Sequence, residues 1–272
     1  MNLLLATLSL SAITNVITQS VDVRLAAADA NRSLSRFVDY RQNAATDRFV
    51  INPDFWGKNI DLSCASPWNS MSGNFRAGTL VSPRHIIFAK HYPLDDGTRL
   101  VFVDNEGVVC PVYLKASKSI PGADICVGLL ESEVTPTIRP ACILPQDYEK
   151  YIGCGEHLPV VTLTQNEEAV ITDLSPIPTN RNAKILISLT ASTKDRLKFR
   201  KKLIGGDSGN PAFLICNDQP ILIYCLTTGR SGTGAAIHRY AAEIQKAMDD
   251  LCPGYKIKAF DFSALAGGCG SR

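Results

Sequence analysis

The chain carries only four histidines, and none of its nine cysteines belongs to a Cys-x-x-Cys pair. Without clustered ligands of that kind a structural zinc site is not expected, and no metal or organic cofactor is called for. Charge of one sign is lacking too, since 28 basic and 26 acidic residues leave a net +2. That balance gives no reason to expect nucleic acid as a partner. Long apolar runs are missing. The stretch with Leu3, Leu4, Leu5, Leu8 and Leu10 stops near Ser11-Ala12, too short and too polar to span a bilayer. It also lacks the basic region that opens a secretory signal, because the first basic residue is Arg24. No internal repeat is visible at a fixed period.

What remains is ordinary globular material. At 272 residues, 45% hydrophobic and 20% charged, the chain can bury a sizeable core in one or two domains. Nine cysteines are many for a reducing compartment, and with the weakly signal-like N-terminus they point to a secreted or extracytoplasmic setting. The odd count leaves at least one thiol free or shared between chains. Cys126, Cys216 and Cys225 lie in apolar runs and read as small core residues. Cys142, Cys154, Cys252 and Cys269 are the candidates for bridges, with connectivity open.

Residues 1–50 read as a leader or pro-segment, alanine-rich around Leu25 to Ala30. From there short apolar runs alternate with turn residues. Runs at 78–81, 86–89, 100–103, 108–114 and 125–130 are broken by Ser-Pro, Asp-Gly, Glu-Gly and Pro-Gly. A second series occupies 160–163, 169–172, 185–189, 212–216, 221–227 and 235–237. Many short strands with few helices predict an all-β fold, barrels or a sandwich. One helix is expected at 239–251, on the helical spacing of Ile237, Ala241, Ile244, Met248 and Leu251, and Cys252-Pro253-Gly254 ends it. Residues 253–272 read as a loose tail.

Three segments carry chemistry. Gly78-Thr-Leu-Val-Ser-Pro-Arg-His-Ile-Ile-Phe-Ala-Lys-His91 delivers a histidine at the end of a strand. Ala123-Asp124-Ile-Cys-Val-Gly-Leu-Leu130 sets an aspartate at the head of an apolar strand. Gly205-Gly206-Asp207-Ser208-Gly209-Asn210-Pro211 holds a serine in a glycine-rich turn that feeds a strand. A serine hydroxyl is a poor nucleophile until a base takes its proton. Histidine suits that task because it titrates near neutrality, and a carboxylate fixes its tautomer and stabilises the imidazolium. Glycines around Ser208 permit backbone conformations closed to other residues, so that the N–H groups of Gly206 and Ser208 can converge on a developing oxyanion. Asp95, Asp96 and Asp104 compete with Asp124 for the carboxylate role, and His85 competes with His91. His157 and His238 read as structural or surface residues.

These segments resemble the chymotrypsin/trypsin family, whose patterns run close to "lvSPrhvlTAaHC", "DIaLl" and "GDSGgP", in the same order. The resemblance covers roughly 73–250. It implies two six-stranded antiparallel β-barrels, about 60–145 and 150–238, with the active site between them and a C-terminal α-helix, the whole peptidase domain occupying 51–252. It implies a serine endopeptidase acting on protein or peptide substrates, with His91, Asp124 and Ser208 as catalytic triad and Gly206 and Ser208 as oxyanion hole. By position it sets Lys202 near the floor of the substrate pocket and Thr227, Thr228 and Gly229 along its wall. The chain departs from the family at Tyr92 in place of cysteine, at Lys90 in place of a small residue, and at Asn210 in place of glycine. In trypsin a freed N-terminus pairs with the aspartate matching Asp207; here the nearest candidate cleavage point, Arg48-Phe49-Val50-Ile51, is a poor match.

Two other classes of protein also carry a serine or a fold of this kind. An α/β-hydrolase needs Gly-x-Ser-x-Gly and a triad histidine after the serine, whereas position 210 is Asn and only His238 lies downstream. A trypsin-like fold also serves as a non-catalytic binding module, usually marked by a lost triad residue. No triad position is substituted here.

Overall fold

The computed structural model describes residues 2–41, 47–67, 77–153, 157–175, 184–228 and 232–266. The chain is mostly β-sheet, with barrel-like curl and a C-terminal helix. Strands β1 (Phe37–Arg41) and β2 (Arg48–Ile51) form a hairpin. Next come β3 (Thr79–Ser82), β4 (His85–Phe88), β5 (Arg99–Val103), β6 (Val109–Ser119) and β7 (Cys126–Leu130), which make a sheet in the order β3-β4-β7-β6-β5. The second sheet has seven strands. These are β8 (Cys142–Ile143), β9 (Pro159–Leu163), β10 (Ala169–Leu174), β11 (Ile185–Leu189), β12 (Pro211–Cys216), β13 (Gln219–Cys225) and β14 (Thr233–Ala235). Their order is β14-β11-β10-β9-β12-β13-β8, so among the described residues the two ladders hold five and seven named strands.

Strands β3, β4, β5, β7, β9, β10 and β12 are buried along their whole length, which is why they read in sequence as apolar runs with little alternation. β6 and β11 alternate instead: in β6 Cys110, Val112 and Leu114 are buried while Pro111, Tyr113 and Lys115 face out, and in β11 Leu186 and Ser188 are buried while Ile185, Ile187 and Leu189 face out. Apolar side chains from both sheets share one core, in which Leu80, Ile86, Phe88 and Leu130 of the first meet Val161, Ile171, Phe213 and Leu222 of the second.

Helix α4 (Ala241–Leu251) follows a 3-10 turn at Ile237–Tyr240 and buries Ile244, Ala247 and Met248. It returns from the second sheet to pack on β6 and β7 of the first. Cys252 closes it, donating its N–H to the Met248 carbonyl, and Gly254 takes a φ of +101° just beyond.

The segment expected as a leader or pro-segment packs, in this structure, as part of the body. Helix α1 (Asn2–Ala27), followed by the one-turn helix α2 (Ala30–Ser33), buries Ile13, Ile17, Val21 and Leu25, one residue per turn, against β9 and β12. Asp22 on this helix pairs with both Nε (2.7 Å) and Nη2 (2.9 Å) of Arg196, whose Nη1 also meets Asp173 at 2.8 Å. Arg196 lies in the short helix α3 (Lys194–Lys198), capped by Thr193. The basic run 194–202 thus opens with a helix that buries one cation, Arg196, while Arg200, Lys201 and Lys202 beyond it are exposed. Beyond α4, Phe260 and Phe262 are buried, so the tail is anchored at least that far.

Candidate active site

Sheet register brings the first two residues together. β4 and β7 run antiparallel with Phe88 opposite Cys126. Continuing three residues past Phe88 and stepping two back from Cys126 puts His91 and Asp124 beyond the same end of the ladder. Their contact is double: Asp124 Oδ2 lies 2.6 Å from His91 Nδ1, and Asp124 Oδ1 accepts the His91 backbone N–H at 2.8 Å. A carboxylate held this way leaves the ring little freedom to turn.

The serine comes from the other sheet. Gly209 donates its N–H to the Leu226 carbonyl at 2.8 Å, and Leu226 returns a bond to the Asn210 carbonyl at 2.9 Å, which extends the β12–β13 ladder up to the turn. Gly209 has φ +87°, and a Cβ added to it would lie 3.6 Å from the Ala77 carbonyl oxygen and the Ala89 backbone nitrogen, which flank strands of the first sheet. That approach brings Ser208 Oγ to 2.9 Å from His91 Nε2. The three residues form one hydrogen-bonded chain. His91 is 44% exposed and Asp124 22% exposed, so solvent and a second molecule can reach the ring.

The other candidates are engaged elsewhere. Asp104 is buried and accepts N–H bonds from Glu106 (2.9 Å) and Val108 (2.8 Å), capping the turn between β5 and β6. His85 is buried within β4, its Nδ1 at 2.9 Å from Ser82 Oγ. Asp95 and Asp96 are exposed in the turn before β5.

Gly206 has φ +101°, a conformation that L side chains rarely adopt, so glycine is needed there. Neither Gly206 nor Ser208 donates its backbone N–H to an acceptor among the described residues. Between them Asp207 is buried. Its Oδ1 accepts the Gln165 backbone N–H at 2.9 Å and its Oδ2 that of Ile204 at 2.7 Å. Burial pushes the Asp207 carboxyl above its ordinary range, against the pull of those two N–H groups. The segment 48–51, considered as a cleavage point, is strand β2, with Phe49 buried against Val101 and Val103.

The pocket residues are not brought into one place. Thr227 and Thr228 line a cavity of 290 Å³ with Asp124, Ile185, Gly234 and Tyr240. Lys202 instead borders a separate cavity of 160 Å³ with Thr172, Ser188 and Leu203. Gly229 lies outside the described residues. Lys202 and the two threonines therefore line different cavities.

Cys142 and Cys252, candidates for bridges, are free thiols, as are Cys126, Cys216 and Cys225; Cys154 and Cys269 lie outside the described residues. Burial pushes the Cys216 thiol up to about 11 and that of Cys225 up to about 12, which keeps both protonated and unreactive at neutral pH. Among the described residues no group of three or more His, Cys, Asp or Glu side chains is arranged to hold a metal ion, and no helix is long and apolar enough to cross a membrane.

No protein-family model matches the chain, and no curated protein matches it significantly. The chemistry of the site is therefore read from its geometry.

Proposed function

We propose that the protein is a serine endopeptidase of the trypsin-like kind, hydrolysing protein or peptide substrates at a site between two β-barrels. The observation that carries this reading is the continuous hydrogen-bonded chain from Asp124 through His91 to Ser208, with distances of 2.6 and 2.9 Å. Support for the barrels comes from the segment 64–66, which bonds to β3 through Leu80 N–H to Cys64 (2.8 Å) and Ser66 N–H to Gly78 (3.0 Å), a sixth partner for the first sheet.

In this mechanism Ser208 Oγ attacks the peptide carbonyl carbon as His91 Nε2 takes its proton. Asp124 stabilises the imidazolium and stays ionised. The carbonyl oxygen becomes an oxyanion facing the N–H groups of Gly206 and Ser208. Collapse breaks the C–N bond, His91 protonates the leaving amine, and an ester to Ser208 remains. Water, deprotonated by His91, then attacks that ester and releases the acid and the serine hydroxyl.

The test is labelling of the purified full chain with a fluorophosphonate probe, alongside Ser208→Ala and His91→Ala. Labelling of the wild type alone is the expected result. Absence of labelling in all three folded proteins overturns the reading and favours a trypsin-like binding module without activity.

A further inference from the structure

The glycine turn before Ser208 is gripped from one side by a single residue, Gln165. It sits in the tight connection between β9 and β10 and is only 8% exposed. Its backbone N–H reaches Asp207 Oδ1 at 2.9 Å, and its side-chain Nε2 donates to the Gly205 carbonyl at 3.1 Å. Only the amide nitrogen can face a carbonyl oxygen, so this bond fixes which way round the side chain lies. The amide oxygen then lies against Gly206, where an added Cβ would come within 2.5 Å of Oε1.

A trans peptide points its C=O and N–H to opposite sides. Holding the Gly205 carbonyl toward Gln165 therefore turns the Gly206 N–H the other way, away from Gln165. With φ at +101°, nothing intrinsic to Gly206 keeps that peptide from rotating, because glycine has no side chain to restrict it. The restraint has to come from a neighbour, and Gln165 is the side chain that bonds to this peptide among the described residues.

Resting on the serine-peptidase reading of Ser208, we infer that Gln165 is the positioning residue of the oxyanion site: its side-chain amide holds the Gly205–Gly206 peptide in the orientation that offers the Gly206 N–H to the acyl oxygen. Asp207 supports the same turn from below, with both carboxylate oxygens already engaged by backbone N–H groups of this chain. Gln165 acts on the reaction only through that peptide.

The variant that isolates the side chain is Gln165→Met, similar in length and volume, which removes the donor and leaves the backbone N–H that meets Asp207. Acylation of Ser208 by p-nitrophenyl acetate is followed in the pre-steady state on the full chain, with Ser208→Ala as blank, to give the acylation rate constant and the ester's dissociation constant separately. The expected result is an acylation rate constant lower by on the order of 10²-fold, the loss typical of one oxyanion donor, with dissociation constant within about twofold and melting temperature within a few degrees. Gln165→Glu, which presents an acceptor to the Gly205 carbonyl, gives the same slowing and serves if the Met chain does not fold. Acylation of either folded variant at the wild-type rate overturns the inference while leaving Ser208 as the nucleophile. A folded wild type that acylates no faster than Ser208→Ala overturns the peptidase reading itself, and this inference with it.

Discussion

Asp124 holds His91 by two separate bonds, one to the ring at 2.6 Å and one to the backbone N–H at 2.8 Å. The ring and the chain that carries it are thus fixed by one carboxylate. Two acceptors are required, one per oxygen, and an amide has only one.

Asp124→Asn keeps the shape but offers an NH₂ to one of the two donors. The ring escapes that conflict by moving its proton to Nε2, where it faces Ser208 and can no longer accept the serine's proton. The bimolecular rate of fluorophosphonate labelling is expected to fall by on the order of 10⁴-fold, with Ser208 and the fold otherwise intact. A loss smaller than tenfold in a folded variant contradicts the role given to Asp124.

Much of this arrangement was legible in the sequence, and the reasons are local. The runs at 160–163 and 212–216 mark strands because buried strands are continuously apolar, and the helix before Cys252 shows its periodic face. His91, Asp124 and Ser208 stand out because each sits beside a strand end in a motif with turn residues. Helix α1 stands out less, because the leucine cluster from Leu3 to Leu10 reads as the start of a leader, and the residues that the helix buries, Ile13, Ile17, Val21 and Leu25, follow it. Counting back from Ser208 sets Lys202 near a pocket floor but cannot say which cavity its side chain borders, and in the structure it borders a different one from Thr227 and Thr228. Gln165 gave no signal at all. It lies more than forty residues from the serine turn, and only the short β9–β10 connection brings it under Asp207.

The two glycines of the serine turn differ in what a methyl group would meet. At Gly209, φ +87°, an added Cβ has its nearest contacts at 3.6 Å, ordinary packing. Gly209→Ala is therefore expected to lose only the conformational term, about 1–2 kcal/mol in urea denaturation. At Gly206 the same term is joined by a Cβ 2.5 Å from Gln165 Oε1. Gly206→Ala should displace Gln165 and slow acylation of Ser208 far more than Gly209→Ala does. Equal acylation rates in the two variants contradict this ordering.

Arg196 ties α1 to the second sheet through two carboxylates, and the charge is 3% exposed. Removing it leaves Asp173, which is fully buried, without its cation. Arg196→Met is expected to cost about 3–5 kcal/mol, as for other broken buried pairs. Lys198→Met removes an exposed partner of Asp195 and is expected to cost no more than about 1 kcal/mol. Urea midpoints for both variants decide it, and near-equal losses would mean that α1 is held by its apolar face alone.

Two histidines should make the fold sensitive to mild acid. His238 is 1% exposed, packs edge-on to the Tyr148 ring, and has no hydrogen-bond partner for either ring nitrogen among the described residues. Burial, with Arg239 adding to it, pushes its pKa down to about 4. Burial also holds His85 down at about 4. In the unfolded chain both return to about 6.5, so below that pH the unfolded state takes up protons that the folded state refuses. Stability from each is complete above about 6.5 and is lost as pH falls toward 4, roughly 2 kcal/mol per histidine by pH 5. Urea unfolding at pH 7.5 and pH 5 measures the loss, and His238→Leu should remove one histidine's share of it. If the leucine variant loses as much stability between the two pH values as the wild type, His238 is not one of the groups that take up a proton on unfolding.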